Sequence, residues 1–180
     1  PAARLRRGAR VSRGAVVAGA SGFVGRAVVA ALAEDGYEVR TIGRSGPVRW
    51  GGAAAIAAAV DGADVLVGLA GKSVNCRYTD RNRDEILDSR VRTTRALREA
   101  IAAASHPPRL WLNASTATIY RQSMDRPNTE AEGEIGSGFS VDVATSCECE
   151  QFAGDLPSTR RVALRMCFLF GDGPAAQMNL

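Results

Sequence analysis

The chain has 180 residues, 46% of them hydrophobic, which predicts one globular domain with a core of its own. No apolar stretch approaches the ~20 residues of a membrane span, so a membrane-spanning protein is not predicted. The formal net charge is +4, but five of the 23 basic residues lie among the first 13 residues, which contain no acidic residue. The rest of the chain has 18 basic and 19 acidic residues and is therefore nearly neutral, which argues against a nucleic-acid-binding fold.

The first 13 residues form an arginine-rich segment for which we predict a basic, flexible N-terminal arm. An organelle transit peptide and a weak electrostatic contact with polyanions are the alternative interpretations. No secretory apolar segment precedes the fold, which favours a cytoplasmic protein. The predicted domain spans residues 14–173, and residues 174–180 form a tail.

The rest of the chain alternates strand and helix patterns. Strands are predicted at Ala15–Ala18, Glu38–Ile42, Val48–Trp50, Asp64–Leu69, Leu110–Leu112 and Arg161–Phe170. Helices are predicted at Gly22–Asp35, Ala53–Val60, Asp80–Ala104 and Ser140–Phe152, with a polar loop over residues 121–138. This alternation predicts an α/β fold: a Rossmann-like, doubly wound parallel sheet with helices on both faces. Such a sheet usually continues further, so we expect a C-terminal substrate region to be absent.

The stretch GASGFVGR contains three glycines between the first strand and the first helix. Gly19 allows a tight turn, Gly22 allows the backbone to approach a pyrophosphate, and Gly25 allows close packing of helix and strand. The helix N-terminus then favours the anion. A glycine-rich turn without a ligand is the alternative. The predicted cofactor-binding residues of this turn are Gly19, Ser21, Gly22, Phe23, Val24 and Gly25.

The end of the second strand indicates which dinucleotide is bound. An NAD site usually has an acid there, whereas this chain has Ile42-Gly43-Arg44-Ser45. Arg44 and Arg26 can form the fork geometry that a 2′-phosphate accepts, so NADP is predicted, with NAD left open. Both arginines could instead be solvated surface residues. The fourth strand ends in Leu69, Ala70 and Gly71, where small residues let the backbone pass beneath a ribose.

The cysteines and the histidine do not form a metal-binding pattern. Cys147 and Cys149 are two residues apart, no CxxC pair accompanies them, and His106 precedes two prolines at a helix end. We therefore predict free thiols and no metal site. The sequence leaves the oligomeric state open, a homodimer included; the expected partner is a small-molecule substrate, without nucleic acid or membrane.

Several stretches together resemble the short-chain dehydrogenase/reductase superfamily, in its atypical or extended branch. They are the GxxGxxG turn, DVLVGLAG and LNASTATIY. The stretch LAGKSVNCRYTDRNRDEILDSRVRTTRAL is similar to the family of nucleoside-diphosphate-sugar epimerases that carry a small extra C-terminal domain. VALRMCFLFGDG resembles their sixth strand, with Arg165 at the family's arginine. The resemblance covers residues 14–173 and implies a nicotinamide cofactor and reversible oxidation or epimerisation of a sugar-like substrate.

The resemblance also implies which residues are catalytic. In STATIY, Thr116 takes the place of the hydroxyl that hydrogen-bonds the reacting oxygen, with Ser115 and Tyr120 beside it. Capping of the strand end is the alternative role for Thr116 and Ser115. The superfamily's acid/base pair, Tyr-x-x-x-Lys, is missing: counting back from Glu148, its positions are Ser140 and Ala144.

Other residues near the missing pair also depart from the family pattern. Cys147 stands where the narrow family has a tryptophan, and the only lysine, Lys72, lies far upstream. Asp142 is the ionisable residue nearest to the missing pair. These departures leave two further interpretations: a non-catalytic dinucleotide-binding or regulatory module, and an inactive fragment of a longer protein.

Overall fold

The computed structural model describes residues 13–170, in which six strands form one sheet. Every paired strand is parallel to its neighbour, and the order is β3-β2-β1-β4-β5-β6. This is the order of a doubly wound dinucleotide-binding sheet. The strands are β1 (Arg13–Ala18), β2 (Tyr37–Gly43), β3 (Val48–Arg49), β4 (Val65–Gly68), β5 (Leu110–Thr116) and β6 (Arg160–Met166).

Four helices connect these strands and cover both faces of the sheet. They are α1 (Phe23–Glu34), α2 (Ala53–Val60), α3 (Asp80–Ala103) and α4 (Phe139–Phe152). Right-handed crossovers place α1 on one face and the other three helices on the opposite face, because the strand order reverses between β1 and β4. Accordingly α3 packs between α2 and α4, whereas α1 packs on β1 and β2. The predicted Rossmann-like fold is confirmed.

The core lies between the sheet and the layer formed by α2 and α3. Residues Ala15–Ala18 of β1 are completely buried, as expected for a central strand covered on both faces. Trp111 of β5 is also completely buried, and it packs in one cluster with Leu97 and Ile101 of α3. Helix α1, on the other face of the sheet, contributes less to the core: Gly25 is its buried residue, and Ala27 and Ala31 are exposed.

Two strand ends differ by four residues from the sequence prediction, and the other strand boundaries differ by two at most. β5 continues to Thr116, because β6 pairs with it over its whole length, up to Thr116 opposite Met166. β6 ends at that same pair, four residues before the predicted end at Phe170, and Phe168 and Phe170 are exposed. The apolar pattern of the sequence continues past β6, but the backbone pairing does not.

The predicted arm and tail lie outside the described residues, except that Arg13 is the first residue of β1. The division into an arm, a domain of residues 14–173 and a tail therefore stays a prediction. None of the helices within residues 13–170 is both long enough and apolar enough to cross a membrane.

Candidate dinucleotide and substrate site

Three strand ends meet at Gly19, at the point where the strand order reverses. The Gly19 amide donates to the Ile42 carbonyl of β2 at 2.9 Å, and the Leu69 amide, just after β4, donates to the Ala18 carbonyl at 2.8 Å. Gly19 has φ +89°, in the left-handed region that favours glycine. In open α/β sheets, ligands bind in the crevice at this reversal, outside the carboxyl ends of the strands.

The glycine turn is packed too closely for side chains at two of its three glycines. A Cβ on Gly19 would lie 2.8 Å from the carbonyl carbon of Leu69, and one on Gly25 would lie 2.3 Å from the Gly19 oxygen. A Cβ on Gly22 would lie 3.4 Å from that same oxygen, which is ordinary contact. Gly19 and Gly25 are therefore needed for packing, whereas Gly22 keeps the exposed side of the turn free of a side chain.

The first turn of α1 presents unpaired backbone donors. Gly22 is its N-cap and makes no side-chain capping bond, so the amides of Phe23, Val24 and Gly25 have no partner within the helix. Ser21 and Gly22 are exposed. Free amides at the positive end of a helix dipole bind anions, and the residues present therefore fit the pyrophosphate of a dinucleotide.

The two predicted arginines belong to different elements, Arg26 to α1 and Arg44 to the loop after β2. Arg26 is exposed and donates from Nη1 to the Ser21 carbonyl at 2.8 Å, so its side chain folds back over the turn. Arg44 follows the last residue of β2 and is also exposed. Arg44 thus stands at the strand end that faces the adenosine ribose in this type of fold.

The segment after β4 borders the glycine turn and is tied to α3. Leu69 and Ala70 are the residues that a Cβ on Gly19 would strike, so this loop forms a wall of the crevice. The Lys72 ammonium binds the side chains of Asn82 and Glu85 on α3. Lys72 is thus held by α3 and paired with a carboxylate.

The three hydroxyl residues predicted to be catalytic make different contacts. Thr116 Oγ1 accepts a hydrogen bond from the Thr118 amide at 3.2 Å and lies 3.0 Å from Thr118 Oγ1, so it caps the short 3-10 turn Ala117–Ile119. The Ser115 side chain points to the face of the sheet opposite to that of Thr116, and its hydroxyl donates to Glu148 Oε1 at 2.6 Å. The Tyr120 hydroxyl accepts from Arg165 Nη1 at 2.7 Å. Ser115 and Tyr120 therefore share one network, and Thr116 is outside it.

Glu148 of α4 and Arg165 of β6 form the centre of this network. The Arg165 guanidinium donates to both carboxylate oxygens, at 3.0 and 2.7 Å, and lies 5.0 Å from the centre of the Tyr120 ring. Burial disfavours the charged form of Glu148, but the bonds from Arg165 and Ser115 outweigh it and hold the pKa of this carboxyl below its ordinary value. The bond to Glu148 likewise raises the pKa of Arg165. The network joins β5, β6 and α4 beside the predicted catalytic residues.

An open pocket of about 400 Å³ lies next to the network. Thr118, Tyr120 and Val141 line it, together with residues of the loop after β5. That loop is held by Arg121, which pairs with Glu134 at 2.5 Å, and by a bridge between Tyr120 and Ile135. Thr118 was not among the predicted site residues. It lies two residues after Thr116, and the third hydroxyl residue in the stretch STAT is the sequence signal that could have found it.

The positions of the missing acid/base pair carry no replacement. Ser140 is exposed on the first turn of α4, and Ala144 is buried one turn later. Asp142 faces solvent. Cys147 is buried, and burial raises the pKa of its thiol to about 11, so it is protonated at neutral pH. Among residues 13–170, no group of His, Cys, Asp and Glu side chains is arranged to hold a metal ion.

The strand order and the glycine turn define a Rossmann-type protein of the dinucleotide-binding class. The sequence profile of the NAD dependent epimerase/dehydratase family matches residues 15–177. The chain belongs to this family, and its resemblance to the short-chain dehydrogenase/reductase superfamily is confirmed.

Several individual proteins are similar to this chain in sequence or in structure. The epimerase family protein SDR39U1 of Mus musculus is 30% identical over 167 residues, which are 89% of this chain and 56% of that protein. The crystal structure of the human SDR39U1 (isoform 2) with NADPH matches with a TM-score of 0.78 at 30% identity, covering 89% of this chain and 55% of that one. A nucleoside-diphosphate sugar epimerase from Corynebacterium glutamicum matches with a TM-score of 0.67 at 27% identity, covering 86% and 33%. The chain thus spans little more than half of its SDR39U1 relatives.

Replacing Gly25 by alanine tests the packing of the turn. The added methyl group would lie within 2.3 Å of the Gly19 oxygen, so α1 must move and the free energy of unfolding should fall by about 1–3 kcal/mol or more. Urea denaturation of the two chains measures this loss. Gly22→Ala is the matched control and should cost less, since its methyl group fits; equal effects of the two substitutions would contradict the assigned roles.

Replacing Glu148 by glutamine tests the network beside the pocket. At pH 7 the variant should lose about 1–3 kcal/mol of stability, because Arg165 loses its carboxylate partner. The pKa of Glu148 is lowered in the folded chain, so its contribution is present above the ordinary pKa of a glutamate and disappears as the pH falls through the lowered folded-state pKa. Denaturation at several pH values should therefore show the two chains converging on acidification. The exposed Glu132→Gln should show no such difference; a gap between wild type and E148Q that does not shrink in acid would contradict the account.

Proposed function

We propose that this chain is the cofactor-binding part of an NADP(H)-preferring, atypical short-chain dehydrogenase of the epimerase type. It would act on a sugar-like or nucleotide-sugar substrate by transient hydride transfer. The observation that carries this proposal is the glycine turn, where three unpaired amides at the start of α1 open into the crevice at the strand reversal. The 30% identical human protein, whose crystal structure contains NADPH, supports the same cofactor.

The proposed cofactor residues are the turn and the two segments beside it. The amides of Phe23, Val24 and Gly25 would hold the pyrophosphate, and Leu69, Ala70 and Gly71 would border the cofactor on the β4 side. Arg44, with Arg26 as the second candidate, would bind the 2′-phosphate through a fork of two N–H donors. NADP is therefore the proposed cofactor, and NAD remains the alternative.

A nicotinamide dinucleotide held by these residues would supply the hydride chemistry for a substrate carbon that bears a hydroxyl. Thr116 is the proposed hydroxyl that hydrogen-bonds the oxygen on this carbon. Ser115 and Tyr120 are proposed beside it, but their hydroxyls are engaged with Glu148 and Arg165. In this proposal Tyr120 therefore lines the substrate pocket, and Ser115 holds Glu148 in the network beside it.

A non-catalytic dinucleotide-binding module is the second candidate. The observation in its favour is that Ser140 and Ala144 occupy the positions of the acid/base pair and that neither is ionisable. An inactive fragment is also compatible with a chain that spans 56% of its mouse relative. A cytoplasmic location and a homodimer stay predictions from the sequence.

Cofactor titration tests the binding half of the proposal. NADPH and NADH are added to the full 180-residue chain and followed by calorimetry. NADPH should bind roughly tenfold or more tightly than NADH, and Arg44→Ala should remove this difference, because a charge-assisted arginine–phosphate contact contributes about 1.5–3 kcal/mol. Arg92→Ala, which removes an exposed arginine of α3, is the control. If the folded chain binds neither cofactor, the proposal fails.

Substitution of Thr116 tests the catalytic half. NADPH oxidation is measured with a panel of keto sugars, and Thr116→Val should lower kcat about a hundredfold while NADPH still binds, because an oriented donor to the reacting oxygen is lost. Thr145→Val is the control, since the Thr145 hydroxyl bonds only carbonyls of its own helix. Cofactor binding without turnover in the wild-type chain would instead favour the non-catalytic module.

A further inference from the structure

Arg90, in the second half of the stretch DEILDSRV, lies directly against the loop that follows β4. Its Nη1 donates to the Lys72 carbonyl at 2.8 Å and to the Ile86 carbonyl of its own helix at 3.3 Å. A Cβ on Gly71 would lie 3.0 Å from Arg90 Cγ and 3.1 Å from Cζ. Gly71, a predicted cofactor contact, thus makes room for the Arg90 side chain.

The charge of Arg90 is not neutralised by a carboxylate. In the described part of the chain, no acidic side chain lies within salt-bridge distance of its guanidinium, whereas Lys72 pairs with Glu85 and Arg165 with Glu148. Burial lowers the pKa of Arg90 and is the largest effect on it. A half-buried cation whose acceptors are neutral carbonyls is unfavourable unless an anion completes its environment.

Arg90 lies on the helix that packs against α4, and it contacts the loop that forms one wall of the crevice. Its electrostatic neighbours are Tyr78 and Cys147, and the Cys147 thiol is protonated at neutral pH. Cys147 lies one helical turn after Ala144, the position of the missing lysine. The Arg90 guanidinium therefore lies between the loop after β4 and α4. It brings a positive charge from α3 to the region where the superfamily's lysine would stand on α4.

We propose that Arg90 is an anion subsite for the substrate: it binds a carboxylate or phosphate group of the sugar-like molecule. Its Nε and Nη2 donors make no hydrogen bond to any of residues 13–170, and together they form the fork that carboxylates and phosphates accept. The inference rests on the proposed function for the identity of the crevice, but the anion contact itself does not require the cofactor.

Anion-dependent thermal stabilisation tests this subsite. The full chain is melted with increasing D-glucuronate, D-glucose 1-phosphate or neutral D-glucose, each with and without NADPH. At least one anion should raise the melting temperature of the wild-type chain, and Arg90→Gln should need roughly tenfold or more of it for the same shift. Arg92→Gln, an exposed change on the same helix with the same loss of charge, should behave as wild type. Preference for glucuronate indicates a carboxylate and preference for glucose 1-phosphate a phosphate.

The variants also separate this inference from the proposed function. Circular dichroism checks that Arg90→Gln is folded; if it is not, Arg90→Lys, which keeps the charge but loses the fork, should show the weaker anion response. An anion response that is absent in the wild-type chain, or unchanged in the Arg90 variant, overturns the subsite. The subsite is also overturned if the Arg90→Gln chain loses NADPH affinity but keeps the response to the sugar anions, because Arg90 then binds a phosphate of the cofactor. If the chain does not bind NADPH but still binds an anion through Arg90, the subsite is supported and the proposed NADP-binding function is overturned.

Discussion

The Gly19 carbonyl occupies the space in which a side chain of Gly25 would lie, and this steric constraint determines how α1 leaves the sheet. Because α1 must begin against the end of β1, its first amides open at the edge where β1, β2 and β4 end together. The loop after β4 then lies against Gly19 and forms the other wall of the crevice. The anion-binding geometry is thus a result of backbone packing, and it needs no charged side chain to form.

A second constraint lies on the far side of the crevice. Glu148 and Arg165 join α4 to β6, and they engage the hydroxyls of Ser115 and Tyr120. These two hydroxyls are therefore held as parts of the framework, whereas Thr116 and Thr118 lie at the strand end outside it. Ser140 and Ala144 of α4 stand at the two positions where the resemblance to the superfamily implies the acid/base pair.

Much of the fold could be read from the sequence because its signals are local. The bounds of α2 were predicted correctly, since Gly52 and Asp61-Gly62 delimit its apolar run. Gly36, just after α1, has a positive φ, which is common for a glycine that ends a helix. The glycine turn could be predicted for the same reason, because its three glycines are close together in the sequence. The side-chain network could not be predicted, because its members are far apart in the sequence: Ser115 and Glu148 by 33 residues, Tyr120 and Arg165 by 45. The strand order of the folded sheet brings them together. The uncompensated charge of Arg90 likewise follows from three-dimensional packing.

Binding of a nicotinamide dinucleotide by the backbone of the glycine turn is tested most directly by amide resonances. In ¹H–¹⁵N spectra of the labelled chain, addition of NADPH should shift the amides of Gly22, Phe23, Val24 and Gly25 most strongly, with smaller shifts at Arg44 and Ala70. Replacement by NADH should preserve the shifts of the turn and reduce the one at Arg44. Saturating NADPH that leaves the turn amides unmoved, or moves a distant surface instead, would contradict the account.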